Sequence, residues 1–199
     1  MELREISPAE NATAEEFLQV AYPEQRKIAE RIRKQKQNGE RTLPSATLVD
    51  DSVLLNHEFR KALIDKVASL VDENLFGRSE MCQQFAMLLS LALNHIGIYS
   101  KVMLGKATYS NGFSWVHYWV ATKDEIVDAN TDSMAENPVV PNGLTPPPYW
   151  GSMFNVPKDR KLKPKSNAKT PRDTDVKDIW WPELKEWVSQ YNNSNPAGR

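Results

Sequence analysis

The chain of 199 residues contains one cysteine, three histidines and eight glycines, and its positive and negative side chains nearly cancel, 25 Lys and Arg against 26 Asp and Glu. One thiol excludes a disulfide within the chain and any zinc site that needs two or more thiolates. The histidines, His57, His95 and His117, occur in no H-x-H or H-x-x-x-H pattern, so no metal and no cofactor is expected. A formal net charge of -1 gives no electrostatic reason to expect nucleic acid or an anionic membrane as a partner. No window approaches 18 uninterrupted apolar residues, which argues against a membrane span. The opening MELREISPAENATAEEF lacks a basic stretch followed by an apolar one, so no Sec signal is expected. The expected location is the cytoplasm, or outside the cell after export without a Sec signal, as for a secreted effector. No internal repeat is visible.

Residues that bury well are present in ordinary amounts: 40% of the chain is hydrophobic, with six Trp, six Tyr and six Phe. The length suits one core with tails better than two complete domains. Three stretches are distinguished. Residues 1–40 form an N-terminal arm and helix: an acidic, loose start is followed from Glu15 to about Gln37 by helical character, with Pro23 as a first-turn proline and Gly39 as a stop. Residues 41–136 form the core. It opens with a helix over about Leu54–Glu73, whose Phe59, Leu63, Val67 and Leu70 share one face. The next segment, GRSEMCQQFAMLLSLALNHIG, is apolar nearly all round from Phe85 to Leu93 and reads as a buried central helix with Ser79 as N-cap and Gly97 as C-cap. Three short strands follow, Ile98–Leu104, Ser114–Thr122 and Glu125–Asp128, joined at Ser110-Asn111-Gly112 and Thr122-Lys123-Asp124. A helix followed by an antiparallel sheet is an α+β layout.

Residues 137–199 form a C-terminal extension that holds ten of the thirteen prolines, so regular structure is expected to be scarce there. Seven Lys or Arg residues between Lys158 and Arg172 face a single Asp159, a pattern read as a solvated basic loop. A short helix with Trp180, Trp181, Leu184 and Trp187 is expected to dock on the core before a polar tail from Asn192.

A lone cysteine is more often a small buried hydrophobe than a nucleophile. Cys82, however, falls in the first turn of the central helix, where unpaired N–H groups and the positive dipole end stabilise a thiolate and offer backbone donors to an oxyanion. His117 lies in FSWVHYWVA, where alternation sets Trp115, His117 and Trp119 on one face and Val116, Tyr118 and Val120 on the other. A histidine there also fits a hydrogen-bonded core. Asp128 ends the next strand, and a tight hairpin brings it beside His117. Together they make a nucleophile, a base and an orienting carboxylate. Gln83, Gln84, Trp115, Trp119 and Asn130 are candidate oxyanion or substrate contacts, although a solvated role suits the amides equally. His95 is expected to cap the last carbonyls of its helix, and His57 has no evident partner.

Gly77 through Cys82, the Gly97-Ile98 turn, Val102–Gly105, His117-Tyr118-Trp119 and Asp128-Ala129-Asn130 occur in the order Cys, His, Asp. In these the chain resembles the transglutaminase-like branch of the papain-like cysteine enzymes, over about Gly77–Met134. The resemblance implies a papain-like α+β core, a Cys82–His117–Asp128 catalytic triad and a thioester intermediate, with a protein or peptide as substrate. Glutamine deamidases of bacterial effectors, transglutaminases and peptidases are all members. The usual tryptophan two residues past the cysteine is replaced by Gln84, and the chain is too short for the added domains of the calcium-dependent animal enzymes. A catalytically idle protein-binding module of the same fold is the alternative from another class.

Overall fold

The computed structural model describes residues 23–39, 48–74, 77–137, 140–141, 143–165 and 171–194. The expected acidic arm and the beginning of the first helix lie outside them. Helix α1 is Pro23–Gln37, with proline at the first helical position, where its missing N–H costs nothing. Helix α2 is His57–Asp72; it starts at Asn56, whose side chain accepts a hydrogen bond from the Phe59 amide at 2.7 Å. Helix α3 is Cys82–His95 and helix α4 is Trp181–Ser194, preceded by a π-helical turn over Val176–Trp180.

The all-round apolarity of α3 places it at the centre: Phe85, Leu88, Leu89, Ala92 and Leu93 are each no more than 1% exposed. It packs against α2 and α4 on one side and the sheet on the other. Burying side chains of this size is worth about 1.5–3 kcal/mol each. Its start differs from the expected one. The N-cap is Met81, which offers no side-chain cap, while Ser79 is buried in the turn before it. Cys82 is therefore the first helical residue. The helix ends where Gly97 takes a φ of +87°, a conformation that suits glycine.

Six strands form one curled, mixed sheet, so the fold is α+β. The strands are β1 Val49–Asp51, β2 Lys101–Tyr109, β3 Ser114–Ala121, β4 Glu125–Asp128, β5 Tyr149–Ser152 and β6 Arg160–Pro164. Their order is β1-β5-β4-β3-β2-β6, antiparallel except for the parallel β1–β5 pair. Strand β2 starts later and runs further than Ile98–Leu104, because Ser100 is held by Asn94 and Ser90 at the end of α3 before pairing begins.

The C-terminal stretch carries more regular structure than its prolines suggest. It supplies β5 and β6, and α4 extends to Ser194, past the expected start of a polar tail. Pro164 is tolerated because β6 is an edge strand. Trp180, Leu184 and Val188 are buried in the same core as α3, and Trp187 stacks on Phe59 of α2 at 6.3 Å.

One sheet face, with Val120, Val127 and Trp150, packs on the helices. Two smaller clusters lie elsewhere, one around Trp119, Ile126 and Tyr149 of the sheet, the other around Ala107 and Tyr109 of β2 with Met134 and Val140. No helix among the described residues is long and apolar enough to cross a membrane.

Candidate active site

Strands β3 and β4 are adjacent and antiparallel, with Val120 opposite Val127 and Ala121 opposite Ile126. Continuing that register carries Asp128 to the neighbourhood of His117, one pleat away on the same face. The imidazole Nε2 donates to Asp128 Oδ1 at 2.7 Å, and both side chains are 1% exposed. The second oxygen, Oδ2, accepts from Arg160 Nη1 at 2.9 Å. Arg160 also donates to Asp159, to Thr131 Oγ1 and to the Pro147 carbonyl, which satisfies its buried fork. The result is a buried line of charge, Arg160, Asp128, His117, whose far end faces Cys82.

Burial alone opposes charge on His117. It is outweighed by the Asp128 carboxylate, through charge and hydrogen bond, and then by Cys82, so that the imidazole pKa is raised to about 10. Asp128 shows the mirror case: burial favours its neutral form, but His117 and Arg160 hold its pKa below the ordinary value. At neutral pH the pair is imidazolium and carboxylate. The charged ring lies between two indoles, Trp115 at 5.9 Å and 11° and Trp119 at 6.4 Å and 24°.

Cys82 is half-buried at the α3 N-terminus. The phenols of Tyr118 and Tyr109 are both pushed up, chiefly by burial, and Cys82 adds to the effect. Since Nε2 is committed to Asp128, Nδ1 is the ring nitrogen available to the sulfur. Nδ1 is buried and closes no hydrogen bond among the described residues. Thiol and imidazole are neighbours, and Cys82 is among the groups that raise the imidazole pKa.

Gly105 makes room for this arrangement. It stands opposite His117 in the β2–β3 register, and a Cβ there would lie 2.2 Å from the Lys163 carbonyl and 2.6 Å from the Trp119 ring.

The other candidate residues fall in different places. Trp115 is half-buried with its indole nitrogen buried and unpartnered. Trp119 is 4% exposed and lines a cavity of about 450 Å³ together with Met103, Ile126, Val156 and Leu162. Gln83 is half-buried and makes no hydrogen bond to a described residue. Gln84 donates to Asp173 at 2.9 Å, tying α3 to the segment before α4. Asn130 has both ends of its carboxamide engaged by Arg78, one by the carbonyl at 3.0 Å and the other by the guanidinium at 3.4 Å. With Ser133, which also bonds that carbonyl, it fixes the turn that precedes Cys82. A groove of about 930 Å³ runs beside α3 past Met87 and Leu91, and no triad residue lines it.

The two remaining histidines differ from expectation. His95 contacts Ser189 at 3.1 Å and packs edge-on to Trp181 instead of capping carbonyls, and His57 pairs with Asp50. Among the described residues no group of His, Cys, Asp and Glu is arranged to hold a metal ion.

Two contributors were absent from the sequence reading, Arg160 and Tyr109. Arg160 stood within a basic run read as solvated. The signal was alternation: Arg160, Leu162 and Pro164 share one face of β6, and Lys161, Lys163 and Lys165 the other.

Compared with protein-family models, curated proteins and solved structures, the chain matches none.

Proposed function

We propose that the protein is a cysteine-dependent amide hydrolase or acyl transferase with a papain-like, transglutaminase-like core. It acts on glutamine side chains of a protein through Cys82, His117 and Asp128. The observation that carries this reading is the buried Arg160–Asp128–His117 line, which terminates on a helix N-terminal cysteine. A structural histidine has no need of two charged partners in series, and a cation maintained beside a sulfur favours its thiolate.

The charge state of His117 favours an ion pair over base catalysis in the first step. The Cys82 sulfur bonds to the carboxamide carbon, and the carbonyl π electrons move to oxygen. Collapse re-forms the C=O and breaks the C–N bond while His117 gives its Nδ1 proton to departing ammonia. Neutral His117 then takes a proton from water or an amine that attacks the thioester, which yields a glutamate or a cross-link. Asp128 holds the ring in place throughout. The depth of His117 favours a single side-chain amide reaching in, since an exposed strand lying across the surface would not meet a ring that is 1% exposed.

The test is iodoacetamide alkylation of Cys82 across pH, in the native chain and in His117→Ala and Asp128→Ala, followed by ammonia release from glutamine-containing proteins. Reaction well below pH 8 that is lost with His117 supports the reading. A thiol that reacts only after unfolding overturns it in favour of an idle binding module.

A further inference from the structure

Only four buried side-chain nitrogen or oxygen atoms among the described residues lack a hydrogen-bond partner: Arg78 Nε, Tyr109 Oη, Trp115 Nε1 and His117 Nδ1. An unpaired buried polar group is costly, so such atoms are normally few and scattered. Three of these four belong to one continuous series of rings. Tyr109 stacks on Phe113 at 6.5 Å, Phe113 meets Trp115 at 5.8 Å, and Trp115 stacks on His117 at 5.9 Å. Tyr109 is 3% exposed, at the end of β2 and opposite Arg160 of β6.

The three atoms have unequal roles. His117 Nδ1 faces the sulfur. The Trp115 indole can only donate, and it stands beside the phenol oxygen, where it favours the ionised form against the effect of burial. A donor on that side leaves the phenol proton to point away from the indole. Tyr109 stands opposite Arg160 in the β2–β6 register, and Arg160 holds Asp128, so the phenol belongs to the same site. No acceptor there uses its proton.

Resting on the thiol-enzyme reading above, we propose that the Tyr109 hydroxyl, backed by the Trp115 indole N–H, donates to the oxyanion of the tetrahedral adduct at Cys82. Two neutral donors held in a buried site are preorganised for a charge that appears only in the transition state. The ground-state cost of leaving them unpaired is recovered when the carbonyl oxygen becomes negative. Gln83 and Gln84 are then not needed for that role, which agrees with Gln84 being bound to Asp173.

Two reactions of Cys82 separate this proposal from the triad itself. Iodoacetamide is displaced at a saturated carbon, with a C–S bond formed, iodide released and no oxyanion. A p-nitrophenyl ester is attacked at its carbonyl, passes through an oxyanion and releases p-nitrophenolate. Tyr109→Phe should slow acylation by about 10²- to 10³-fold and leave alkylation within about twofold. Trp115→Phe, which keeps a ring against His117, should lower acylation in the same direction. Because Tyr109→Phe deletes an unpaired hydroxyl, its Tm should hold or rise. Equal acylation in variant and native chains overturns the proposal and leaves the triad standing. Parallel loss of both reactions with a fall in Tm makes Tyr109 a scaffold residue and also overturns it. A native Cys82 inert to both reagents sinks the thiol-enzyme reading and the proposal with it.

Discussion

Arg160 holds Asp128 by the carboxylate oxygen that the imidazole leaves free, Nη1 to Oδ2 at 2.9 Å with both side chains buried. With Oδ1 bound by His117, the carboxylate cannot turn, and the ring direction is fixed from β6 across the sheet. Arg160→Met leaves Asp128 buried with half its compensation, a change that costs about 3–5 kcal/mol when a buried pair is broken on one side. Urea denaturation should show that loss, and Arg160→Lys should recover only part of it, because a lysine cannot also bridge to Thr131 and Pro147.

The pH dependence of stability has a definite sign. His117 has its pKa raised to about 10 from an ordinary 6.5, so the folded state binds the extra proton between those values. Its contribution is complete below pH 6.5 and fades as pH rises toward 10. Asp128 is shifted downward from 3.8, so its contribution is present above that value and disappears on acidification. The unfolding free energy measured in urea should therefore decline from pH 6.5 to 10 with a slope of about one proton. In a folded His117→Phe variant that slope should vanish; if it persists, another group is responsible.

Gly105→Ala should damage the site without touching a charged residue. The new methyl meets the Lys163 carbonyl, the Pro164 Cα and the Trp119 ring at 2.2, 2.8 and 2.6 Å, so β6 or Trp119 must move. Overpacking of this kind costs about 1–3 kcal/mol. A lower Tm together with slower Cys82 alkylation is the expected pair of results, because β6 carries Arg160.

Leu184→Ala tests whether α4 belongs to the core. Leu184 is fully buried, and its removal should cost about 2–5 kcal/mol in a single cooperative unfolding transition. A separate low-temperature transition would make α4 an independent appendage.

The central helix was legible because its apolar residues run all round, and β3 and β4 because their alternation and turn residues agree on one register. The order Cys82, His117, Asp128 followed from those elements alone. Arg160 was not legible, since a run of lysines masks an arginine whose partner lies 32 residues earlier and whose strand forms only by pairing with β2. Asn130 shows what the sequence could not place: an amide two residues after Asp128 suggests a substrate contact, and its carboxamide engages Arg78 in the turn before Cys82. Tyr109 was hidden because a tyrosine at a strand end is ordinary, and only the lack of a partner for its hydroxyl distinguishes it.

Strand β6 joins the sheet beside β2, more than fifty positions before it in the chain, and it brings the guanidinium that completes the charge on Asp128. During synthesis, Cys82, His117 and Asp128 leave the ribosome well before Arg160, when neither the β6 edge nor the α4 cover exists. In a nascent chain, therefore, Asp128 lacks the guanidinium that holds it in the folded protein. The buried Arg160–Asp128–His117 line is completed only after the C-terminal stretch has been made and has joined the sheet.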